Sequence, residues 1–315
     1  MIPNRFHFVF GLKEQTEPFH LMFYLCLASC LEVNRPLEVK FHYHHEPYGP
    51  WWDLIKPRLT LQRIEPDRFV SDYVYRDPAI ASFRYAHLAD FARLHILQQE
   101  GGIYADIDTL FLRPFPPEWL RQWPFILGRE RAVEGEGIEG SLCNAWIASA
   151  PGAAFGRRWL ARSSEAFDGS WSEHSTLLPY RLSLQHPDEL RVQPESSFYA
   201  LDWSPADINA LFCRRVELPP DAYSLHLWNH LWWSPRRLDF SPFHQGLLTP
   251  DYVAFADTTY AHHARRFLPP DLPVRAWRHH ARQWAAFVRH PRRHWLADRK
   301  STRLNSSHSK QARMP

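Results

Sequence analysis

Glu100-Gly101-Gly102-Ile103-Tyr104-Ala105-Asp106-Ile107-Asp108-Thr109-Leu110-Phe111-Leu112-Arg113-Pro114 is the stretch on which the fold reading turns. Before it, Tyr85 to Glu100 carries Leu88, Phe91, Ala92, Leu94, His95 and Leu97 at helical spacing, and the two glycines supply a left-handed cap. Ile103 to Leu112 then reads as one strand, closed at Pro114, which has no amide hydrogen for a ladder. In a continuous strand, Asp106 and Asp108 share one face while Ile103, Ala105 and Ile107 face a core. Two neighbouring carboxylates repel, and burying like charges unpaired costs several kcal/mol. A hard divalent cation with oxygen ligands removes the conflict, and Mg²⁺ or Mn²⁺ bridges phosphate oxygens readily. With 17 aspartates in the chain, Asp-x-Asp arises by chance about once, so its position and not the tripeptide carries the inference. The alternative is a pair of carboxylates fanning into solvent at a strand end.

Working outward, Phe6 to Phe10 is an aromatic and β-branched run that suits a first buried strand. Pro18 to Val33 follows with helical spacing, stopped by Asn34-Arg35-Pro36 before a strand from Leu37 to His44. In that strand Val39, Phe41 and Tyr43 alternate with Lys40, His42 and His44, and a half-exposed strand face is preferred over a histidine metal site. Downstream come a strand near Phe125 to Leu127, a Gly/Glu loop from Val133 to Ser141 that either closes over a ligand or is idle, and a strand over Asn144 to Ala148. The alternation predicts an α/β fold: a Rossmann-type mixed sheet flanked by helices, forming one domain over 1–267.

Past that domain, 268–297 is basic, and Val274, Trp277, Ala281, Trp284 and Val288 recur on one helical face among arginines. This face is expected either to pack on the domain or to lie in a membrane interface. Residues 298–315 differ sharply: the string from Asp298 to His308 resembles a translated sequencing-library adaptor and is expected to take no part in the fold, the alternative being a natural basic tail.

The formal charge of +3 is uneven. Residues 1–267 hold 26 Lys and Arg against 32 Asp and Glu, so the body is mildly acidic and the overall charge does not argue for nucleic acid. Cys26, Cys30, Cys143 and Cys213 show neither a secreted disulfide framework nor zinc-site spacing and are expected as buried thiols. The lack of a long apolar run leads to the expectation of a cytoplasmic protein, the alternative being a peripheral position at the inner membrane face.

The segment His87-Leu-Ala-Asp-Phe-Ala-Arg-Leu-His-Ile-Leu-Gln-Gln-Glu-Gly-Gly-Ile-Tyr-Ala-Asp-Ile-Asp-Thr-Leu-Phe-Leu-Arg-Pro114 resembles the DXD sugar-transferase family. That family includes yeast-type initiating mannosyltransferases, α-1,4-galactosyl- and GlcNAc-transferases and clostridial glucosylating toxins. Weaker similarity runs from Ile2-Pro3 through Asn144, Phe198-Tyr199 and His226-Leu227-Trp228. The resemblance implies a GT-A type fold and metal-dependent transfer of a sugar, with retention, from a UDP- or GDP-sugar to a carbohydrate or lipid-linked acceptor. It implies Asp106, Asp108 and His226 as ligands of Mn²⁺ or Mg²⁺, and Asp90 and Arg93 as the pair that orients the donor sugar. Phe8, Val9 and Phe10 would form the nucleotide-base site, with Gly102, Tyr104, Asn144 and Trp228 completing the donor pocket. Ala89 stands where the family has serine, and Leu178-Pro179 where it has Gly-Pro. The rival readings are a carbohydrate-binding protein without catalysis, using the Trp51-Trp52 and Trp232-Trp233 pairs, and a metal-dependent phosphohydrolase.

Overall fold

The computed structural model describes residues 1–69, 84–131, 140–170, 172–229 and 248–289. The expected loop over Val133 to Ser141, apart from its last two residues, and the whole of 298–315 lie outside them. The main sheet has seven strands in the order β3-β2-β1-β4-β7-β6-β8. These are β1 (Arg5–Phe10), β2 (Glu38–Tyr43), β3 (Thr60–Arg63), β4 (Gly102–Ala105), β6 (Phe125–Glu130), β7 (Ser141–Ser149) and β8 (Arg191–Gln193). A two-stranded ribbon pairs β5 (Thr109–Phe111) with β9 (Ser224–His226). β3, β2, β1 and β4 are parallel, with His7 opposite Tyr104 and Phe8 opposite Phe41, whereas β7 runs antiparallel to both β4 and β6. This is the mixed, helix-flanked α/β sheet expected of a GT-A type domain.

Period-two alternation sorts β1 between two cores. Phe6 and Phe8 enter the layer beneath the Leu21–Asn34 helix, and Phe10 packs on its rim beside Phe19 and Phe23. Val9 joins Tyr104, Leu94 and Leu97 under the Arg84–Glu100 helix on the opposite face. Gly101, at φ +63°, ends that helix: its N–H reaches Leu97 O at 2.9 Å, and a Cβ there would meet the Pro151 ring at 2.6 Å.

Two expectations about the strands need correction. The stretch from Ile103 to Leu112 is not one strand. β4 belongs to the seven-stranded sheet and β5 to the ribbon, so the chain changes sheets at Asp106 to Asp108 through a turn closed by Thr109 N–H to Asp106 O at 3.0 Å. The second concerns β2, where His42 is fully buried instead of lying on a half-exposed face. Diagonally across from it on β1, His7 donates from Nε2 to Gly101 O at 2.9 Å, which leaves Nδ1 to accept from His42 Nε2 at 3.0 Å. Among the thiols, Cys26, Cys30 and Cys143 are buried as expected, but Cys213 is exposed.

The histidine pair predicts acid sensitivity. Burial lowers His7 to about 4, with Glu100 opposing, and lowers His42 to about 3, with His7 adding to the effect. The unfolded chain takes up these protons first, near pH 6.5, so the stability from keeping both rings neutral is complete above that pH and drains away as pH falls toward 4. Denaturant unfolding at pH 7 and pH 4.5 is expected to show a loss of about 2 to 3 kcal/mol from His7 alone. His42→Gln, which keeps a donor toward His7, should flatten part of that slope; an unchanged slope would assign it to other groups.

Candidate active site

The parallel strands place the site. β1 feeds β2 on one side and β4 lies on its other side, so the strand order reverses at β1, and a crevice opens beyond the carboxyl ends of such strands. Asp106 lies just past the end of β4, its N–H bonded to Ala145 O of β7 at 2.9 Å. The change of sheets then carries Asp108 beside β9, where Leu227 N–H donates to Asp108 O at 2.9 Å. One ligand atom from each of Asp106, Asp108 and His226 falls within 4.8 Å of the others. The convergence expected from strand alternation is therefore achieved by a turn and a strand pairing.

Asp108 is buried and its Oδ2 accepts from Asn229 N–H at 2.8 Å. That amide is aimed by Trp228, whose φ of 53° lies in the left-handed region that a bulky residue rarely adopts. Burial pushes the Asp108 carboxyl up, the charge of Asp106 adds to this, and His226 opposes it. His226 is buried, its Nδ1 lies 3.5 Å from Asp108 Oδ1, and that nitrogen has no hydrogen-bond partner. Two carboxylates facing an imidazole nitrogen that lacks a hydrogen bond form a donor set suited to a divalent cation, so the residues present fit the metal.

Beside them lies a network centred on Arg93, which is 4% exposed. Its Nη2 meets Asp90 Oδ1 at 3.0 Å, and its Nη1 donates to Asn144 O at 2.6 Å and lies 3.5 Å from Asp106 Oδ1. The guanidinium sits 4.6 Å from the centre of the Tyr104 ring, and Tyr104 OH donates to Asp106 Oδ1 at 2.6 Å. Burial alone would lower the Arg93 pKa, but Asp106, Tyr104 and Asp90 outweigh it and hold it raised. Asp90 also accepts from Asn144 Nδ2 at 2.9 Å and contacts His174 Nε2 at 3.0 Å. Burial would raise the Asp90 carboxyl, yet Arg93 and His174 keep it below its ordinary value. The i,i+3 ion pair expected as the plain alternative is present, but it forms one edge of a network joining the Arg84–Glu100 helix, β7 and the turn.

Several expected donor contacts fall elsewhere. Phe8 is fully buried in the core, so its side chain packs the sheet instead of facing the crevice. Gly102 lies at the amino end of β4, the end opposite Asp106, where φ is +108° and a Cβ would come within 2.6 Å of Arg5 O. The glycine there serves close packing against β1. Tyr104, 1% exposed, braces Arg93 and Asp106 from beneath. Trp228 is buried, its ring centre 4.4 Å from that of His226 and 4.9 Å from that of Tyr199, with Nε1 donating to Leu201 O at 3.1 Å. Its indole backs the imidazole and offers no face to a sugar.

Sequence reading missed His174 and the amide of Asn229. His174 projects from a π-helical turn, Glu173–Leu177, in the stretch where the chain departs from the family pattern, and one His among 19 carries no local signal. Near the carboxyl ends of β1 and β2, a cavity of about 450 Å³ is lined by Glu14, Tyr43, His44, His45, Tyr48 and Arg63 among others.

Residues 34–126 match the family described as "Glycosyltransferase sugar-binding region containing DXD motif". "Glucan organizing enzyme 1" of Cryptococcus neoformans var. grubii is 38% identical over 218 residues, 64% of this chain and 55% of that protein. "Subversion of eukaryotic traffic protein A" of Legionella pneumophila is 31% identical over 100 residues, 32% of this chain and 15% of that protein. The chain thus spans about half the length of the first relative and a small part of the second. Among solved structures, "PaToxG Glycosyltransferase" aligns at 15% identity and a TM-score of 0.39, covering 59% of this chain and 70% of that one. The glycosyltransferase GlyE of Streptococcus pneumoniae TIGR4 aligns at 11% identity and a TM-score of 0.40, covering 72% and 55%. Residues 34–126, whose second half holds the Asp106 turn and its Arg93 brace, are thus the part of the chain that matches the DXD-containing glycosyltransferase family.

Proposed function

We propose that the chain is a metal-dependent glycosyltransferase that moves a sugar from a nucleotide-sugar donor to an acceptor hydroxyl, with retention, in polysaccharide or glycolipid synthesis. The observation that supports this reading most is the approach of Asp106, Asp108 and His226 within 4.8 Å, beside the fixed Asp90–Arg93 pair. A Mn²⁺ or Mg²⁺ held by Asp106, Asp108 and His226 would supply charge neutralisation for the departing diphosphate. The imidazole ligand favours Mn²⁺ over Mg²⁺.

The protein's own part is orientation. Arg93 and Tyr104 share Asp106 Oδ1 and so fix that carboxylate before substrate arrives. Asp90 is held on three sides by Arg93, Asn144 and His174, and its spare lone pairs are available to sugar hydroxyls. The donor's nucleotide would lie across the carboxyl end of β1, past Val9 and Phe10, toward the cavity at Tyr43, His44 and Arg63. A lipid-linked acceptor would bring the chain to a membrane surface; among the described residues no helix is long and apolar enough to cross one.

Release of nucleoside diphosphate from UDP-glucose, UDP-galactose, UDP-GlcNAc and GDP-mannose, with Mn²⁺ and with EDTA, tests the reading. Turnover of one donor, abolished by the chelator, is expected. Sugar binding without metal and without turnover would mark a carbohydrate-binding module, and phosphate release from simple esters a phosphohydrolase. His226→Ala is expected to weaken Mn²⁺ binding by about 10- to 100-fold in a metal titration, as loss of one ligand from a preformed site does. An unchanged Mn²⁺ affinity would remove His226 from the ligand set.

A further inference from the structure

We propose that the Ala276–Arg289 helix docks the chain on an anionic membrane surface, through a stripe of exposed indoles bordered by arginines. This inference does not rest on the transferase reading. Trp277 and Trp284 are 66% and 69% exposed, and they are the exposed tryptophans among the described residues. Seven residues apart, they stand on one side of the helix nearly in register, with exposed Ala281 beside them. Arg278 and Arg282, also exposed, follow on the adjoining side, and the Arg278 guanidinium lies 5.6 Å from the Trp277 ring centre. Arg275 precedes the helix.

The remaining side is anchored. His279 is 2% exposed, with its ring centre 5.9 Å from that of Tyr252. Arg275 N–H donates to Asp251 Oδ1 at 2.7 Å, and Arg282 Nη1 sits 3.5 Å from Asp251 Oδ2. The face that the sequence offered either to the domain or to a membrane is thus not the face that packs: the domain takes His279, and the tryptophans point away.

Charge decides the occupant. By sequence, 268–289 carries four arginines and one acidic residue, Asp271, whereas 1–267 is acidic on balance; one of the four, Arg282, is turned toward Asp251. A second copy would bring the same positive border against itself, so self-pairing along this stripe is opposed. Indoles that settle at headgroup level, bordered by guanidinium groups that pair with lipid phosphates, match an anionic bilayer surface.

The test is co-sedimentation of the full chain with phosphatidylcholine vesicles, with and without phosphatidylserine, at low and raised salt. The parent should partition to the anionic vesicles, less at raised salt, with a blue shift of tryptophan emission. The variants Trp277→Ser/Trp284→Ser and Arg278→Glu should each lower that partition by about tenfold or more. Their unfolding midpoints and solution turnover should match the parent, because these side chains touch neither the core nor the catalytic crevice. Parent and variants binding alike, no vesicle binding at all, or a concentration-dependent dimer that the tryptophan substitutions dissociate would each overturn the proposal.

Discussion

Replacing Asp108 by Asn is expected to cut Mn²⁺-dependent donor turnover by about three orders of magnitude or more while leaving the fold intact. The reasoning rests on opposite effects of one substitution. Asn keeps the shape and an acceptor oxygen for Asn229 N–H, so the contact between the turn and the end of β9 survives. It also removes a carboxylate that burial and Asp106 push up, so the metal-free protein should unfold at the same denaturant concentration as the parent or a higher one. Only cation binding loses. Steady-state turnover with Mn²⁺ and a urea transition of the metal-free protein give the two readouts. Unchanged turnover, or a loss that tracks unfolding, would contradict the assignment.

Arg93→Ala should produce the largest stability effect of any single substitution in the site, about 3 to 5 kcal/mol, together with loss of activity. Its guanidinium is the cation that serves both Asp90 and Asp106, and its removal strands two carboxylates and the Asn144 carbonyl in a buried setting. Arg93→Lys restores charge but not the planar fork, so one carboxylate stays unserved and recovery is partial. A double variant, Asp90→Asn/Arg93→Ala, should recover part of the stability but none of the turnover, because the unpaired charge is gone while sugar orientation is still lost. Equal stability of Arg93→Ala and the double variant would show that the pair is not coupled. Denaturant unfolding of the four proteins measures this directly.

Helix and strand periodicity made the sheet legible, because β1 and β4 and the Arg84–Glu100 helix each carry the spacing their burial demands. Periodicity could not show that Ile103 to Leu112 spans two sheets. The residues favour strand throughout, and only pairing of β5 with β9, more than a hundred positions away, forces the turn at Asp106. The two aspartates do approach one another, but by a turn and not by strand alternation. His42 was misplaced because alternation says which residues share a face but not whether that face is covered; here His42 is fully buried against the His7 ring. Gly102 and Phe8 illustrate a related limit. Resemblance to the family placed them in the donor site, whereas strand direction puts Gly102 at the far end and pleat puts Phe8 in the core. His174 reaches Asp90 only through tertiary packing, across 84 positions of chain.

The central claim is that Asp106, Asp108 and His226 jointly hold the divalent cation. Diffraction from crystals grown with Mn²⁺ and a nucleoside diphosphate, recorded at the manganese absorption edge, tests it most directly. An anomalous peak within coordination distance of both carboxylates and the His226 ring, bridged to the diphosphate, is the expected result. A peak elsewhere, or bound diphosphate with no metal at this turn, would contradict the account.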